Sequence, residues 1–469
     1  MGFTSIDYLL FLPIVVALFY IVPRKLAVYL LAIASFAFCA AYDQYLGLIT
    51  LAITVSAYFI GLIIGKHKGN KAIFAVCIAA TLLPLLFFKF SGFSSSSMSL
   101  VIPIGISYYT LRIIDYYSSV FRGDGESERN FCRFFLLVFY FPMMVQGPIE
   151  RSGSFLPQLS GRRHLSFEDF KKSVLQIISG YFMKLVIADR LAIFVNAVYR
   201  DASSASGIHL ALAACLYSVQ LYCDFAGYTN IAIGTAGLFG IRLSENFRAP
   251  FFSLSVTELW RNWHITLTDW LRNHIYFPLG GSQKGTARKY LNIMTVFLVS
   301  GLWHGSGITF VIWGIVNGLY QVAEALTSDF RENLNKTLRI NQSSPVFKLL
   351  CRIRVFLLFS LVFIFFRASD IGEACTILAR IFTMKSSADA VDLFTYGVSI
   401  KAFLAVIIAL LPVVIDDVMK CKGTNLNDFI LSKADIIQIL SISLGITVIL
   451  VFGVYGAGFE ASSFIYAGF

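Results

Sequence analysis

The stretch Val299-Ser300-Gly301-Leu302-Trp303-His304-Gly305-Ser306-Gly307-Ile308 places a histidine inside an apolar run and follows it with three residues that break a helix. Apolar sequence resumes at once. A titratable side chain in such surroundings costs free energy, roughly 2.5–3.5 kcal/mol for a full charge at the centre of a membrane helix. A glycine-rich break in a membrane segment is tolerated only where it is buried in protein or lines a cavity. The stretch therefore reads as a membrane-embedded helix end that presents His304 to a cavity.

The surrounding chain supports a membrane setting. Of 469 residues 57% are hydrophobic and only 14% charged, well below the usual share for a soluble domain. Apolar runs recur at about residues 7–22, 26–41, 45–64, 72–90, 101–120, 173–197, 208–240, 290–303, 306–325, 354–367, 398–415 and 435–457. This pattern predicts one all-α polytopic membrane domain over residues 1–469, with about 11–12 transmembrane helices and its motif-bearing core at 100–320. The first run follows too short a leader for a signal peptide and is expected to be retained. The net charge of +11 lies in short loops between apolar runs. That argues for orientation and anionic lipid contact, not nucleic acid. The eight scattered cysteines, with no C-x-x-C pair, read as small buried hydrophobes, and no metal site is expected.

Counting basic loops as cytoplasmic puts the N-terminus outside and the tail, residues 460–469, outside as well. Two segments resist simple threading. Residues 134–146 are apolar but flanked by basic loops on both sides, so a re-entrant segment ended by Gly147-Pro148 is expected. Residues 256–277 carry three tryptophans, two histidines and two arginines, which suits a helix at the interface or dipping into a cavity.

All five tryptophans and three of six histidines lie within residues 260–313. His304 is the leading candidate for chemistry, because a neutral imidazole there would take a proton from a hydroxyl. On a continuous helix His264 would share a face with Trp260 and Trp263; an interfacial aromatic belt with a polar rim is the competing reading. His274 is expected at the surface. Asp224 has two open roles: orienting a histidine or binding substrate, or locking helices together. Asp115 beside Arg112 suggests a helix-end ion pair. Glu150-Arg151 reads either as a turn pair or as part of a cytoplasmic entrance. Pro278-Leu279-Gly280-Gly281, followed by Lys284, Arg288 and Lys289, offers donors and cations to a phosphate-bearing donor such as coenzyme A, and equally suits an ordinary basic loop.

Several stretches, taken in order, resemble the membrane-bound O-acyltransferase superfamily, and within it the bacterial alginate O-acetyltransferase and teichoic-acid D-alanylation branch. They are Pro103-Ile104-Gly105-Ile106-Ser107-Tyr108-Tyr109-Thr110, Gln146-Gly147-Pro148-Ile149-Glu150-Arg151, Ile187-Ala188-Asp189-Arg190 and Asp224-Phe225-Ala226-Gly227-Tyr228. Glu245-Asn246-Phe247-Arg248-Ala249-Pro250, Trp260-Arg261-Asn262-Trp263-His264, Pro278-Leu279-Gly280-Gly281 and Ser300-Gly301-Leu302-Trp303-His304-Gly305 complete the set. The resemblance implies a ring of helices around a central tunnel, in the plasma (inner) membrane of a bacterium. It implies transfer of an acyl group, acetyl by preference, from a cytosolic thioester such as acetyl-coenzyme A to an extracytoplasmic acceptor, with no bound cofactor. The expected partners are membrane lipid, an SGNH-hydrolase-like acyltransferase outside the membrane, and a polysaccharide as final acceptor.

The same resemblance implies catalytic roles for His304 and His264, and substrate contacts for Trp303, Trp260, Trp263, Asp224, Tyr228, Glu150, Arg151 and Asn246. The last six residues, Phe464-Ile465-Tyr466-Ala467-Gly468-Phe469, resemble an F-x-Y-x-x-F terminus whose tyrosine is proposed to accept the acyl group. A phenol (pKa near 10) is almost as good a leaving group as a thiol (near 8.5), so acyl-Tyr466 would keep much of a thioester's transfer potential. An interfacial aromatic anchor is the alternative for this tail. Three rivals to the acetyltransferase reading follow from the sequence: a D-alanyl transferase fed by a carrier protein, a proton-coupled transporter using His304 and Asp224, and a scaffold for polysaccharide export.

Overall fold

The computed structural model describes residues 1–90, 102–160, 165–383, 396 and 399–455. The expected tail site, Tyr466, lies outside them. Among the described residues the chain is a succession of helices without a strand, and the protein is an all-α polytopic membrane protein. Among the described residues seven helices are long and apolar enough to cross a bilayer: Gln44–Lys66, Lys71–Phe90, Gly207–Gly237, Ile308–Leu326, Pro345–Arg367, Ile400–Cys421 and Asp435–Phe452. The other five of the twelve apolar runs fall in shorter, bent or more polar helices, such as Ile6–Ile21, Ile106–Arg122 and Thr286–His304.

The Gly207–Gly237 helix is the centre. Its apolar window is 72% buried, against 17% for Ile400–Cys421 and 6% for Asp435–Phe452, which stand at the periphery. Small residues let a neighbour approach it closely, because lipid supplies no hydrophobic drive and packing must do the work. A Cβ placed on Gly227 would meet the Gly180 carbonyl at 2.9 Å, so the Phe167–Tyr181 helix rests backbone to backbone on the central one.

Residues 134–146 form the short helix Phe131–Phe139, a 3₁₀ turn Phe141–Met143 and a loop. Nine residues rise only about 13 Å, too little to span the roughly 30 Å apolar layer. The segment is enclosed on all sides, with Phe134 to Tyr140 at most 4% exposed, which is the condition for irregular backbone at membrane depth.

Thr286–His304 and Ile308–Leu326 form the hairpin that carries His304. The first helix stops at His304 because Gly305 is extended (φ −162°) and Gly307 begins the next helix in an extended conformation. The two helices touch through glycines: a Cβ on Gly301 would meet Phe310 O at 2.3 Å, and one on Gly314 would meet Phe297 O at 2.4 Å. Gly314→Leu is therefore expected to force the hairpin apart and destabilise the protein by about 1–3 kcal/mol or more. Thermal denaturation of the detergent-solubilised variant against wild type measures this, and an unchanged midpoint would contradict the packing described.

Candidate active site

His264 owes its position to backbone pairing between two distant stretches. Residues 256–277 are not one helix. Val256–Asn262 ends, Trp263 is extended, and His264 sits at φ 45°, ψ 53° before Ile265–Leu271 begins. Arg248 N donates to Asn262 O and Ile265 N to Asn246 O, each at 3.0 Å, with an antiparallel bridge between Phe247 and Trp263. This strap wins over helix continuation, so His264 does not share a helical face with Trp260. A non-glycine residue in the left-handed region costs roughly 1–2 kcal/mol, and the strap overrides it.

The Asn246 side chain secures the strap. Its Oδ1 accepts from Thr266 Oγ1 (2.7 Å) and Thr266 N (3.3 Å), and Thr266 Oγ1 accepts in turn from Ile149 N (3.0 Å). Next to Ile149, the buried Glu150 carboxylate accepts from Ser244 N and Oγ, and burial pushes that carboxyl above the usual range despite these bonds. Three motifs far apart in the chain are thus stitched around one histidine. Asn246→Ala leaves the Thr266 groups without an acceptor, at an expected cost of about 1–3 kcal/mol. It should lower both melting temperature and acyl transfer, whereas Asn246→Asp, which keeps the acceptor, should lower them less.

The two histidines lie on either side of Trp303. Ring centroids are 6.1 Å apart for His264 and Trp303, and 4.8 Å for Trp303 and His304. Tyr108 and Phe225 close around His264 at 6.2 and 4.7 Å. Trp313 and Phe366 close around His304 at 5.0 and 5.3 Å. Both histidines are buried, at 2% and 3% exposure. Several buried polar atoms gathered here have no hydrogen-bond partner among the described residues: both ring nitrogens of His264, Tyr108 Oη, Trp260 Nε1 and Trp313 Nε1. Each such atom costs about 1–3 kcal/mol, so their concentration around two imidazoles marks a place built for a polar guest.

Lys89 is the residue that sequence reading missed. It hides in Phe87-Phe88-Lys89-Phe90, where it reads as the basic end of an apolar run. In the structure it is buried, donates to the Trp303 carbonyl and lies 3.5 Å from Ser107 Oγ. Its Nζ stands 5.8 Å from the Trp303 ring. The signal was the lysine flanked by phenylalanines on both sides, an unusual setting for a simple anchor.

Other expected residues fall elsewhere. Of the two roles open to Asp224, the geometry supports the helix lock: Lys184 Nζ lies 2.6 Å from Asp224 and 2.9 Å from Asp189, all three side chains buried. Trp263 packs against Phe247 and Phe359 (5.0 and 4.8 Å), away from His304. Trp260 meets Trp313 at 5.6 Å and so stands one ring behind His304. Tyr228 Oη accepts from Val145 N (3.3 Å) and steadies the loop before Gly147-Pro148. Arg151 is exposed and starts a short helix.

Two further expectations are corrected. Arg112 does not pair with Asp115; it is mid-helix and donates to Val138 O (3.0 Å), while Asp115 accepts from Ser152 N (3.0 Å). His274 is not at the surface: it stacks on Trp270 at 4.5 Å and lies 3.8 Å from Asp115. In the basic block after Pro278, Arg288 Nε donates to Leu279 O (3.3 Å), and Asn292 Nδ2 donates to Gly281 O (2.8 Å); both readings of the block stand.

Residues 35–367, which include Lys89, both histidines and the strap, match the membrane-bound O-acyltransferase family (MBOAT). The chain belongs to that family. It is 33% identical over 404 residues to the probable alginate O-acetylase AlgI of Azotobacter vinelandii, covering 82% of this chain and 78% of the relative. It is 30% identical over 389 residues to the peptidoglycan O-acetyltransferase of Helicobacter pylori (74% and 72%). Identity to the teichoic acid D-alanyltransferase of Bacillus subtilis is 25% over 289 residues (58% and 72%). This MBOAT protein is therefore a multi-pass membrane acyltransferase.

Proposed function

We propose that this enzyme takes an acetyl group from a cytosolic thioester, acetyl-coenzyme A by preference, and delivers it to a hydroxyl for the O-acetylation of an extracytoplasmic polysaccharide. The observation that carries the reading is the pair of buried imidazoles around Trp303, among polar atoms without partners and beside a buried lysine. His304 removes the proton from the acceptor hydroxyl as its oxygen attacks the thioester carbonyl. The new C–O bond forms, the C–S bond breaks, and the imidazolium returns its proton to the leaving thiolate. His264 orients the reacting groups from the other side of Trp303. Lys89 has three N–H donors; two reach Trp303 O and Ser107 Oγ, and the third serves the carbonyl oxygen where negative charge develops.

The first acceptor in this reading is Tyr466, which passes the group to an SGNH-hydrolase-like acyltransferase and so to the polysaccharide. The names of the alginate and peptidoglycan relatives support an acetyl group and a polymer acceptor. The D-alanyl relatives keep a second donor in play, a loaded carrier protein.

Intact-mass analysis after incubation with acetyl-coenzyme A tests the whole sequence of steps. A single acetyl adduct on wild type, absent from His304→Gln and Tyr466→Phe, is the expected result. An adduct formed only from a D-alanyl-loaded carrier would replace the acetyl reading with the second donor. An adduct that persists in Tyr466→Phe would remove the tyrosine relay.

A further inference from the structure

A cavity of about 350 Å³ lies beside the central helix. The Gly207–Gly237 helix turns Phe225 towards His264, and Tyr222, Ala226 and Thr229, within a turn of Phe225, line the cavity. The remaining walls come from Phe167–Tyr181, Ile400–Cys421, Leu426–Leu431 and Asp435–Phe452. The volume falls within the range of small-molecule sites, roughly 300–1,000 Å³.

The lining is divided along its length. Gln176, Asn230 and Asn427 form an amide network: Gln176 Nε2 donates to Asn230 Oδ1 (2.8 Å) and Asn427 Nδ2 to Gln176 Oε1 (2.9 Å). Charge at this end is balanced, because Lys420 pairs with Asp416 at 2.8 Å. Farther along the same helices the lining becomes apolar, with Phe182, Val413 and Val448. Two buried lining residues carry polar atoms without a partner among the described residues, Asn246 Nδ2 and Thr229 Oγ1. Unpaired donors and acceptors of this kind point to a ligand that supplies neutral hydrogen-bonding groups.

The site faces the bilayer. Ile400–Cys421 and Asp435–Phe452 are the membrane-length outer walls, with only 17% and 6% of their apolar windows buried. In a membrane protein that surface meets lipid, so an alkyl chain reaches the cavity from the side. A charge-neutral amide end next to an apolar end matches the glycerol-ester region and the first part of an acyl chain.

We propose that this cavity binds the glycerol-ester region and one acyl chain of a membrane glycerolipid. The cavity borders the strap through Asn246, but His264, Trp303, His304 and Lys89 do not line it, and the proposal does not depend on the proposed reaction. Amide side chains serve the ester carbonyls, and the chain lies between Phe182, Val413 and Val448.

The test uses the full-length protein in phosphatidylcholine nanodiscs containing a trace of phosphatidylcholine with a diazirine on one acyl chain. After illumination, peptides from residues 175–183 and 441–448 are expected to carry most of the label. Ser441→Phe, which fills the cavity from a half-buried position, should cut that label about tenfold. Ser443→Phe, on the exposed face of the same helix, should leave it unchanged and controls for folding. Label spread evenly over all membrane-facing helices, or unaffected by Ser441→Phe, would overturn the proposal. So would displacement of the label by soluble acetyl-coenzyme A, which would assign the cavity to the donor.

Discussion

His304→Gln is expected to lower the rate of acyl transfer by about 10²–10⁴ while leaving the protein folded, because glutamine keeps polarity and much of the volume but cannot take up a proton. The choice of variant matters. His304 packs between Trp303, Trp313 and Phe366 at ring distances of 4.8–5.3 Å. Alanine would therefore open a cavity and mix a packing defect with the chemical one. Single-turnover transfer from acetyl-coenzyme A separates the two, since loss of a general base lowers the chemical rate with little change in donor affinity. His264→Gln should fall less far, as its role is orientation across Trp303. Equal rates for wild type and His304→Gln would remove His304 from the chemistry.

Lys184→Met should have the largest effect on stability. Lys184 holds Asp189 and Asp224 at 2.9 and 2.6 Å with all three side chains buried. Removing the cation takes the shared partner from two buried carboxylates, and breaking such a buried pair costs about 3–5 kcal/mol. The loss should appear as a lower denaturation midpoint in detergent and as reduced yield of monodisperse protein. Neutralising the anions as well, in Lys184→Met/Asp189→Asn/Asp224→Leu, should recover much of it, because an uncharged, packed replacement has no desolvation penalty to offset. A single variant as stable as wild type would show that these groups are not coupled in the membrane. The triad also lies at the π-helical turn Phe182–Ala188, so its loss should loosen the close contact between Gly180 and Gly227.

His304 was legible because its signal is local: an imidazole, a tryptophan and a glycine-rich stop within ten residues. The re-entrant character of residues 134–146 was legible for a related reason, since charge on both flanks forbids a simple crossing. His264 was only half legible. Its residue type and neighbours were visible, but its left-handed backbone depends on pairing with Asn246–Arg248, and helical periodicity pointed to the wrong face. The Asp224 role was open in sequence because its partner, Lys184, is forty positions away and looks like one more basic residue. Lys89 carried a local hint in its flanking phenylalanines, but its contacts with Ser107 and Trp303 join distant segments.

Composition, the spacing of apolar runs and the order of motifs thus determined class and chemistry: an all-α membrane protein of the O-acyltransferase family, with His304 at a helix break. These are properties of residue type and near neighbours, carried by hydrophobicity and backbone propensity. Which side chains meet was decided by tertiary structure alone. The strap that turns His264 inward, the lysine beneath Trp303, the Lys184 triad and the side cavity are all contacts between segments far apart in the chain. Their geometry follows from how closely helices approach at glycines and which buried polar groups find partners, and neither is written in any local pattern.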